Sequence, residues 1–159
     1  MRITKWIYGL LGIGINSNNL GLPPEPLPVA MIDRESIKEK LLELHNQYRA
    51  AKGLPPYARM SELDCAAQSH NDYMVKNNRL THHQPNRSLG TRIKEQDYNW
   101  LLAGENIAKG QRTPEEVMDS WMNSSGHRSN ILSRDFKDIG FGVTVAGDTW
   151  WWTVDFSKC

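Results

Sequence analysis

The sequence predicts a single α+β domain, with its helices first and an antiparallel β-hairpin at its end. Three observations carry that expectation. Helix-start signals recur at Ser36, Ser61 and Thr113, each followed by apolar residues at helical spacing. From Ile139 to Phe156 the period changes to two, interrupted by a Gly-Asp turn. The chain has 159 residues, 39% hydrophobic and 23% charged, which allows one real core and disfavours a disordered or membrane-embedded protein.

The first helix opens with Ser36 and Glu39 in a capping-box pattern. Ile37, Leu41, Leu44 and Tyr48 line one face, Gly53 stops the run, and Pro55-Pro56 enforces a turn. His45 and Asn46 within it read as structural. A second helix runs over residues 61–76, with Ser61 and Asp64 offering its cap. Leu63, Ala66, Ala67, His70, Tyr73 and Met74 form its apolar face, on which His70 reads as a core histidine with satisfied hydrogen bonds. KNNRLTHHQPN is loop, and residues 86–103 read as loop with a short helix centred near Arg92 and Ile93. Asn-x-Ser triplets at Asn86 and Asn123 are common by chance.

GENIAKG is then a short strand or extended turn that presents Glu105. TPEEVMDSWM is the clearest helix start in the chain. Thr113 caps it, Pro114 takes the first helical position and Glu116 completes the box, which gives Glu116 a structural job. Val117 and Trp121 share its buried face, and residues 124–126 break the helix and deliver His127. In the hairpin, Ile139, Phe141, Val143 and Val145 alternate with Gly140, Gly142 and Thr144, and Trp150, Trp152, Val154 and Phe156 alternate back. Taken alone it is a half-covered pair with helices on one side, and its glycines leave room for a packed helix or a ligand.

Residues 1–30 differ from the rest. MRITKWIYGLLGIGI has early cations and an apolar run of about ten residues, too short to span a bilayer. It has the size of a signal-peptide core but a poor cleavage pattern, so export signal, uncleaved anchor or docking peptide, and plain extension all stand. GLPPEPLPVA follows as a stiff, extended linker. The domain proper is expected at 31–159. The 2 cysteines, Cys65 and Cys159, match no thiol redox motif. Paired, they would close a loop of about 95 residues and contribute roughly 4 to 5 kcal/mol. Unpaired, they are a small helix residue and an incidental terminal thiol.

The chemistry-bearing groups cluster in residues 104–132, with His82 upstream. A carboxylate (Glu105) and imidazoles (His82, His127) that meet in a fold can bind a metal, move a proton or hydrogen-bond each other. Two imidazoles and a carboxylate are a common catalytic zinc set, leaving a place for a water whose pKa falls toward about 7. Their separation in sequence is unlike the i, i+4 pair of HExxH and does not by itself select the metal reading. Asn106, Ser124 and Arg128 are candidate ligand-binding groups, Arg128 opposing a cation and favouring a carboxylate or phosphate. Ser124 and Ser125 could be drawn as a Ser-His-Glu arrangement with His127 and Glu105, but they read better as the end of a helix.

LHNQYRAAKGLPPY, LTH at 80–82, GENIAKG, WMNSSGHRSNIL and DIGFGV occur in one order. In this the chain resembles the CAP superfamily of cysteine-rich secretory proteins, antigen 5 and plant pathogenesis-related 1 proteins, and most closely its short bacterial SCP-like branch. The resemblance covers residues 36–156 or so. It implies a three-layer α-β-α sandwich around a small, mostly antiparallel sheet. It also implies a cleft of two His and two Glu that in some members binds a divalent cation such as zinc. Carried over, His82 and His127 take the histidine positions and the metal-ligand role, and Glu105 one glutamate position. Ser124 stands where the second glutamate is expected, and being neutral it cannot serve as an anionic ligand.

The function expected from these residues is a secreted or surface-displayed protein that binds an extracellular lipid, glycan or peptide in the His82/Glu105/His127 cleft. A metal-assisted hydrolase of peptide or cell-wall bonds is the enzymatic alternative, with the same three residues catalytic. A structural role is the third, with residues 1–30 docking the domain into an envelope or virion assembly. A formal net charge of +1 and the lack of a basic cluster disfavour nucleic acid as a partner.

Overall fold

The computed structural model describes residues 33–159. The head, the linker and the boundary expected near residue 30 lie outside the described residues. The element order is α1 (Arg34–Ala50), β1 (Ala58–Arg59), α2 (Ser61–Lys76), α3 (Leu89–Lys94), β2 (Leu102–Lys109), α4 (Pro114–Met122), α5 (Ser125–Ile131), β3 (Asp138–Ala146) and β4 (Thr149–Lys158). The strands lie in the order β1-β3-β4-β2, antiparallel except for the short β1–β3 pairing. Helices cover both faces of the sheet, so the hairpin is not half-covered, and the fold is the three-layer α-β-α sandwich.

The period-two pattern sets the two faces. Ile139, Phe141 and Val143 lie opposite Phe156, Val154 and Trp152. These six join Leu41, Val117, Trp121 and Ile131 in the main core, beneath α1, α4 and α5. The other face carries Gly140 opposite Asp155 and Gly142 opposite Thr153. Here α2 lies directly on the sheet: a Cβ on Gly140 would stand 2.2 Å from the Leu63 carbonyl carbon. The space the glycines leave is filled by a helix backbone.

Side chains close the open strand edges, which would otherwise template pairing with another chain. On β3, Phe141 N donates to Asp64 Oδ1 at 2.7 Å and Val143 N to Gln68 Oε1 at 3.0 Å. On β2, Trp121 Nε1 donates to the Ile107 carbonyl and Asn130 Nδ2 to that of Glu105.

Local signals and tertiary partners divide the helix starts. Asp33, not Ser36, caps α1: its carboxylate accepts from the amides of Glu35 and Ser36. A carboxylate one residue before the helix outcompetes a hydroxyl inside its first turn. α2 begins at Ser61 as expected, but its Oγ bonds Glu62 and no side chain caps the helix. Asp64 is drawn instead to the Phe141 amide and to Arg59, which also pairs with Glu35 and Glu39. α4 follows its signal closely. Thr113 Oγ1 accepts from Glu116 N at 3.1 Å, and the Glu116 carboxylate turns back to Arg112 N at 2.7 Å. Thr113→Ala is expected to cost about 1 kcal/mol, read as a lower urea midpoint at unchanged slope.

After α4 the chain breaks at residues 123–124 and then re-enters a helix, α5, which carries His127. This helix is not foreseen from the sequence. Arg49 ties the region to α1: buried, it donates to the carbonyls of Pro55, Ile131 and Ser133 and lies 3.7 Å from the Tyr57 ring centroid. The Cys65–Cys159 disulfide is not formed. Both cysteines are free and exposed, because Cys65 faces solvent while α2 turns Leu63, Ala66, Ala67 and His70 inward.

Candidate functional site

The site is built on β2, whose alternation sends neighbouring side chains to opposite faces of the sheet. Glu105 points to the α2–α3 side and Asn106 to the α4–α5 side. Glu105 is 4% exposed, and each of its oxygens has a partner. Oε1 accepts from His82 Nδ1 at 2.8 Å, and Oε2 pairs with Arg92 Nη2. Arg92 comes from α3 and is fully buried, its Nη1 donating to the Arg87 carbonyl at 3.4 Å. His70 on α2 lies 3.7 Å from Oε1, but its Nε2 proton goes to the Thr81 carbonyl at 2.8 Å. That bond holds the loop from which His82 reaches in.

A second carboxyl lies beside the first. Asp155 is the cross-strand partner of Glu105, fully buried, and neither of its oxygens has a hydrogen-bond partner among the described residues. Burial, and then the charge of Glu105, raise the Asp155 pKa well above the usual carboxylate range. Burial works to raise Glu105 too, but the His82 hydrogen bond and the Arg92 charge outweigh it and hold Glu105 low. The two carboxyls therefore shift apart, Glu105 toward its ionised form and Asp155 toward its neutral one.

The two site histidines face outward from this centre. The His82 side chain is 58% exposed. Because a carboxylate can only accept, Nδ1 is the protonated nitrogen toward Glu105, and Nε2 is left to the solvent side. His127 is half-buried on α5, and its Nδ1 is enclosed without a partner among the described residues. Burial first, and then the positive charge of His82, lower its pKa. The structure thus places His82 on Glu105, and His127 near enough to His82 to feel its charge.

Other expected groups fall elsewhere. Asn106 is not available to a ligand: fully buried on the opposite face, it donates to the His127 carbonyl at 3.1 Å and accepts from Asn130 at 2.9 Å. It fixes α5 against β2 and thereby sets the His127 position. Arg128 is exposed but has Nη1 on the Met122 carbonyl at 2.9 Å, capping α4. Ser124 is the N-cap residue of α5, yet its side chain makes no capping bond. Sequence reasoning missed Arg92 and Asp155. Arg92 sits at a helix centre with no flanking motif. Asp155 lies on the out-of-phase face of β4, where only the covering α2 makes it buried.

The metal-ligand role for His82 and His127 does not fit this arrangement. Both Glu105 oxygens are committed to side chains, and one of those is already a buried cation. A neutral serine stands for the second glutamate. No group of three or more His, Cys, Asp or Glu among the described residues is placed to hold an ion. A divalent ion approaching Glu105 would meet the Arg92 guanidinium with little water between them to screen it.

The cysteine-rich secretory protein (CAP) family profile matches residues 42–156. An uncharacterized protein of Bacillus subtilis, YkwD, is 40% identical over 114 residues, 71% of this chain and 44% of that protein. An uncharacterized membrane protein of the same organism, YlbC, is 30% identical over 76% of this chain and 34% of its own length. The chain thus spans less than half of either relative. Among solved structures, an extracellular protein containing an SCP domain from Bacillus anthracis superposes with TM-score 0.70 at 30% identity, covering 79% of this chain and 41% of that one. A protein crystallised with Zn2+ shares the fold at TM-score 0.58 and 16% identity, covering 77% of this chain and 79% of its own. With its sheet, its helix layers and its ordered motifs matched together, this chain belongs to the CAP family.

Proposed function

We propose that this is an extracellular CAP-domain protein that binds a ligand bearing an anionic group at the His82/His127 face. One observation carries the reading. The site's carboxylate is locked between His82 and Arg92, while the His82 ring stays 58% exposed with Nε2 open. With Nδ1–H committed to Glu105, the exposed Nε2 of His82 donates to a carboxylate or phosphate in the imidazolium form, and His127 offers a second imidazole. The ligand is a lipid, glycan or peptide with such a group. Glu105 acts as a positioning residue, fixing the His82 tautomer and ring orientation. Among the described residues no serine, threonine or cysteine hydrogen-bonds the His82 ring, so binding fits these residues better than hydrolysis.

Extracellular location rests on the related SCP-domain protein, whose 30% identity extends over most of this chain. No helix among the described residues is long and apolar enough to cross a membrane. The virion-associated alternative finds no support among these relatives.

Titration of the full chain by calorimetry tests the reading, with phosphatidylglycerol vesicles, a soluble cell-wall glycopeptide and a short carboxylate-terminated peptide as probes. Binding of one probe is expected to weaken by about tenfold or more in His82→Ala and in His127→Ala, as for loss of a charge-assisted hydrogen bond. It should also weaken with added salt and survive chelator. Binding that is indifferent to both substitutions would place the ligand elsewhere.

A further inference from the structure

We infer that the end of the sheet bearing Trp100, Leu101 and Leu102 is a docking surface for an anionic lipid bilayer. Among the described residues four large apolar side chains are exposed, and these three are consecutive, at the entry to β2; Leu101 is 75% exposed. The tip is rigid. The Trp100 ring rests on α3 so closely that a Cβ on Gly90 would stand 2.1 Å from Trp100 Cζ2. The surface is separate from the His82 site and does not rest on that reading. Glu105 lies farther along β2, about 10 Å from Leu102 at the rise of a strand.

Hydrogen bonding and charge select a bilayer as the occupant. Hydrocarbon offers no partner to a polar group, so whatever enters it must be bonded internally. Trp100 Nε1 donates to the Gly90 carbonyl at 2.9 Å, Leu101 N to the Lys158 carbonyl at 2.7 Å, and the Leu102 carbonyl accepts from Ser157 Oγ at 2.9 Å. What the tip presents outward is thus apolar surface, with an indole suited to the headgroup boundary. Cations flank it. Lys158 is the cross-strand partner of Leu102, which puts the two side chains on one face. Lys137 follows one strand over, its amide donating to the Ser157 carbonyl at 2.9 Å. Both lysines are exposed, and neither is in an ion pair among the described residues. Asp138, beside Lys137, accepts instead from the Tyr98 hydroxyl. The leucines enter the acyl boundary while the lysines meet lipid phosphates, and apolar area joined to positive charge is what holds a protein on an anionic membrane.

The test uses the full chain with vesicles of phosphatidylglycerol or of phosphatidylcholine, their acyl chains brominated so that an inserted indole loses fluorescence. On phosphatidylglycerol, wild type is expected to be quenched more than Trp100→Phe. The other tryptophans, Trp6 included, are common to both proteins and cancel in the difference. Leu101→Asp is expected to lower partitioning by about tenfold or more at an unchanged urea midpoint, since the side chain it replaces is mostly outside the fold. Lys137→Gln together with Lys158→Gln should lower it by roughly tenfold on phosphatidylglycerol and little on phosphatidylcholine. Equal quenching of wild type and Trp100→Phe, or partitioning indifferent to Leu101→Asp, overturns the docking surface. A protein held only through His82 gives that equal quenching and is released by His82→Ala, so the docking surface fails while the ligand site stands. A lipid-free dimer that Leu101→Asp dissociates overturns it too, assigning the patch to a second copy of this chain.

Discussion

Gly140→Ala is expected to destabilise the domain by about 3 kcal/mol or more, a large share of the stability of a domain this size. The added Cβ would stand 2.2 Å from the Leu63 carbonyl carbon, 2.3 Å from Asp64 N and 2.4 Å from Leu63 Cβ. Two of those atoms are helix backbone, so relief requires α2 to lift away from β3. Lifting α2 also breaks the Asp64–Phe141 and Gln68–Val143 hydrogen bonds that close the β3 edge. The same substitution at Gly126 is the control. A Cβ there meets nothing within 4 Å, and Gly126 lies inside α5. Gly126→Ala should therefore be neutral or stabilise by roughly 0.5 to 1 kcal/mol. Urea midpoints of the two variants, compared with wild type, check both signs. A Gly140→Ala protein within about 0.5 kcal/mol of wild type would mean that α2 does not press on the strand as described.

The legible parts of this fold are those where local chemistry and burial agree. The hairpin could be read because Phe141, Val143, Trp152 and Val154 alternate in phase on both strands and face one core. α4 could be read because Thr113, Pro114 and Glu116 all act within one turn. Where a tertiary partner competes, the local reading fails: Asp64 looks like a cap residue and is instead claimed by the Phe141 amide and Arg59. α5 escaped because SGHRSNI is short and polar, and it is held in place by Asn106 and Asn130 on another element. The same limit applies at the site. Motif resemblance brought forward His82, Glu105 and His127, but nothing local to Arg92 or Asp155 indicates that α3 and β4 converge on Glu105. The balance of charge around Glu105 is a property of three elements at once. Asn106 shows the reverse error: adjacency to Glu105 in sequence suggested a shared site, whereas strand alternation puts the two on opposite faces.

Lowering the pH from 7 to about 4 is expected to remove roughly 3 kcal/mol of stability through His45 alone. This residue is fully buried, with its ring centroid 6.1, 5.5 and 5.8 Å from those of Trp121, Phe141 and Phe156. Its Nδ1 donates to the Leu41 carbonyl at 2.7 Å, and Nε2 has no partner among the described residues. Burial depresses its pKa from 6.5 to about 4, the Leu41 hydrogen bond only partly opposing this. Above about pH 6.5 the ring is neutral folded or unfolded and contributes no pH dependence. As the pH falls toward 4, the unfolded chain takes up a proton that the fold refuses, so stability declines; below about 4 the loss is complete. About 2.5 pKa units correspond to roughly 3 kcal/mol. Other groups titrate in the same window. The lowered pKa values of His70 and His127 act in the same direction. Asp155, with its raised pKa, acts oppositely, since its neutral form favours the fold at low pH and that advantage fades as pH rises. The wild-type profile is therefore a sum, and the contrast with His45→Leu isolates one contribution. That variant loses the hydrogen bond to Leu41 at every pH, but its deficit relative to wild type should shrink or reverse by about 3 kcal/mol between pH 7 and 4. Parallel stability profiles for the two proteins would show that His45 is protonated in the fold, and that water or a carbonyl reaches Nε2 within the core.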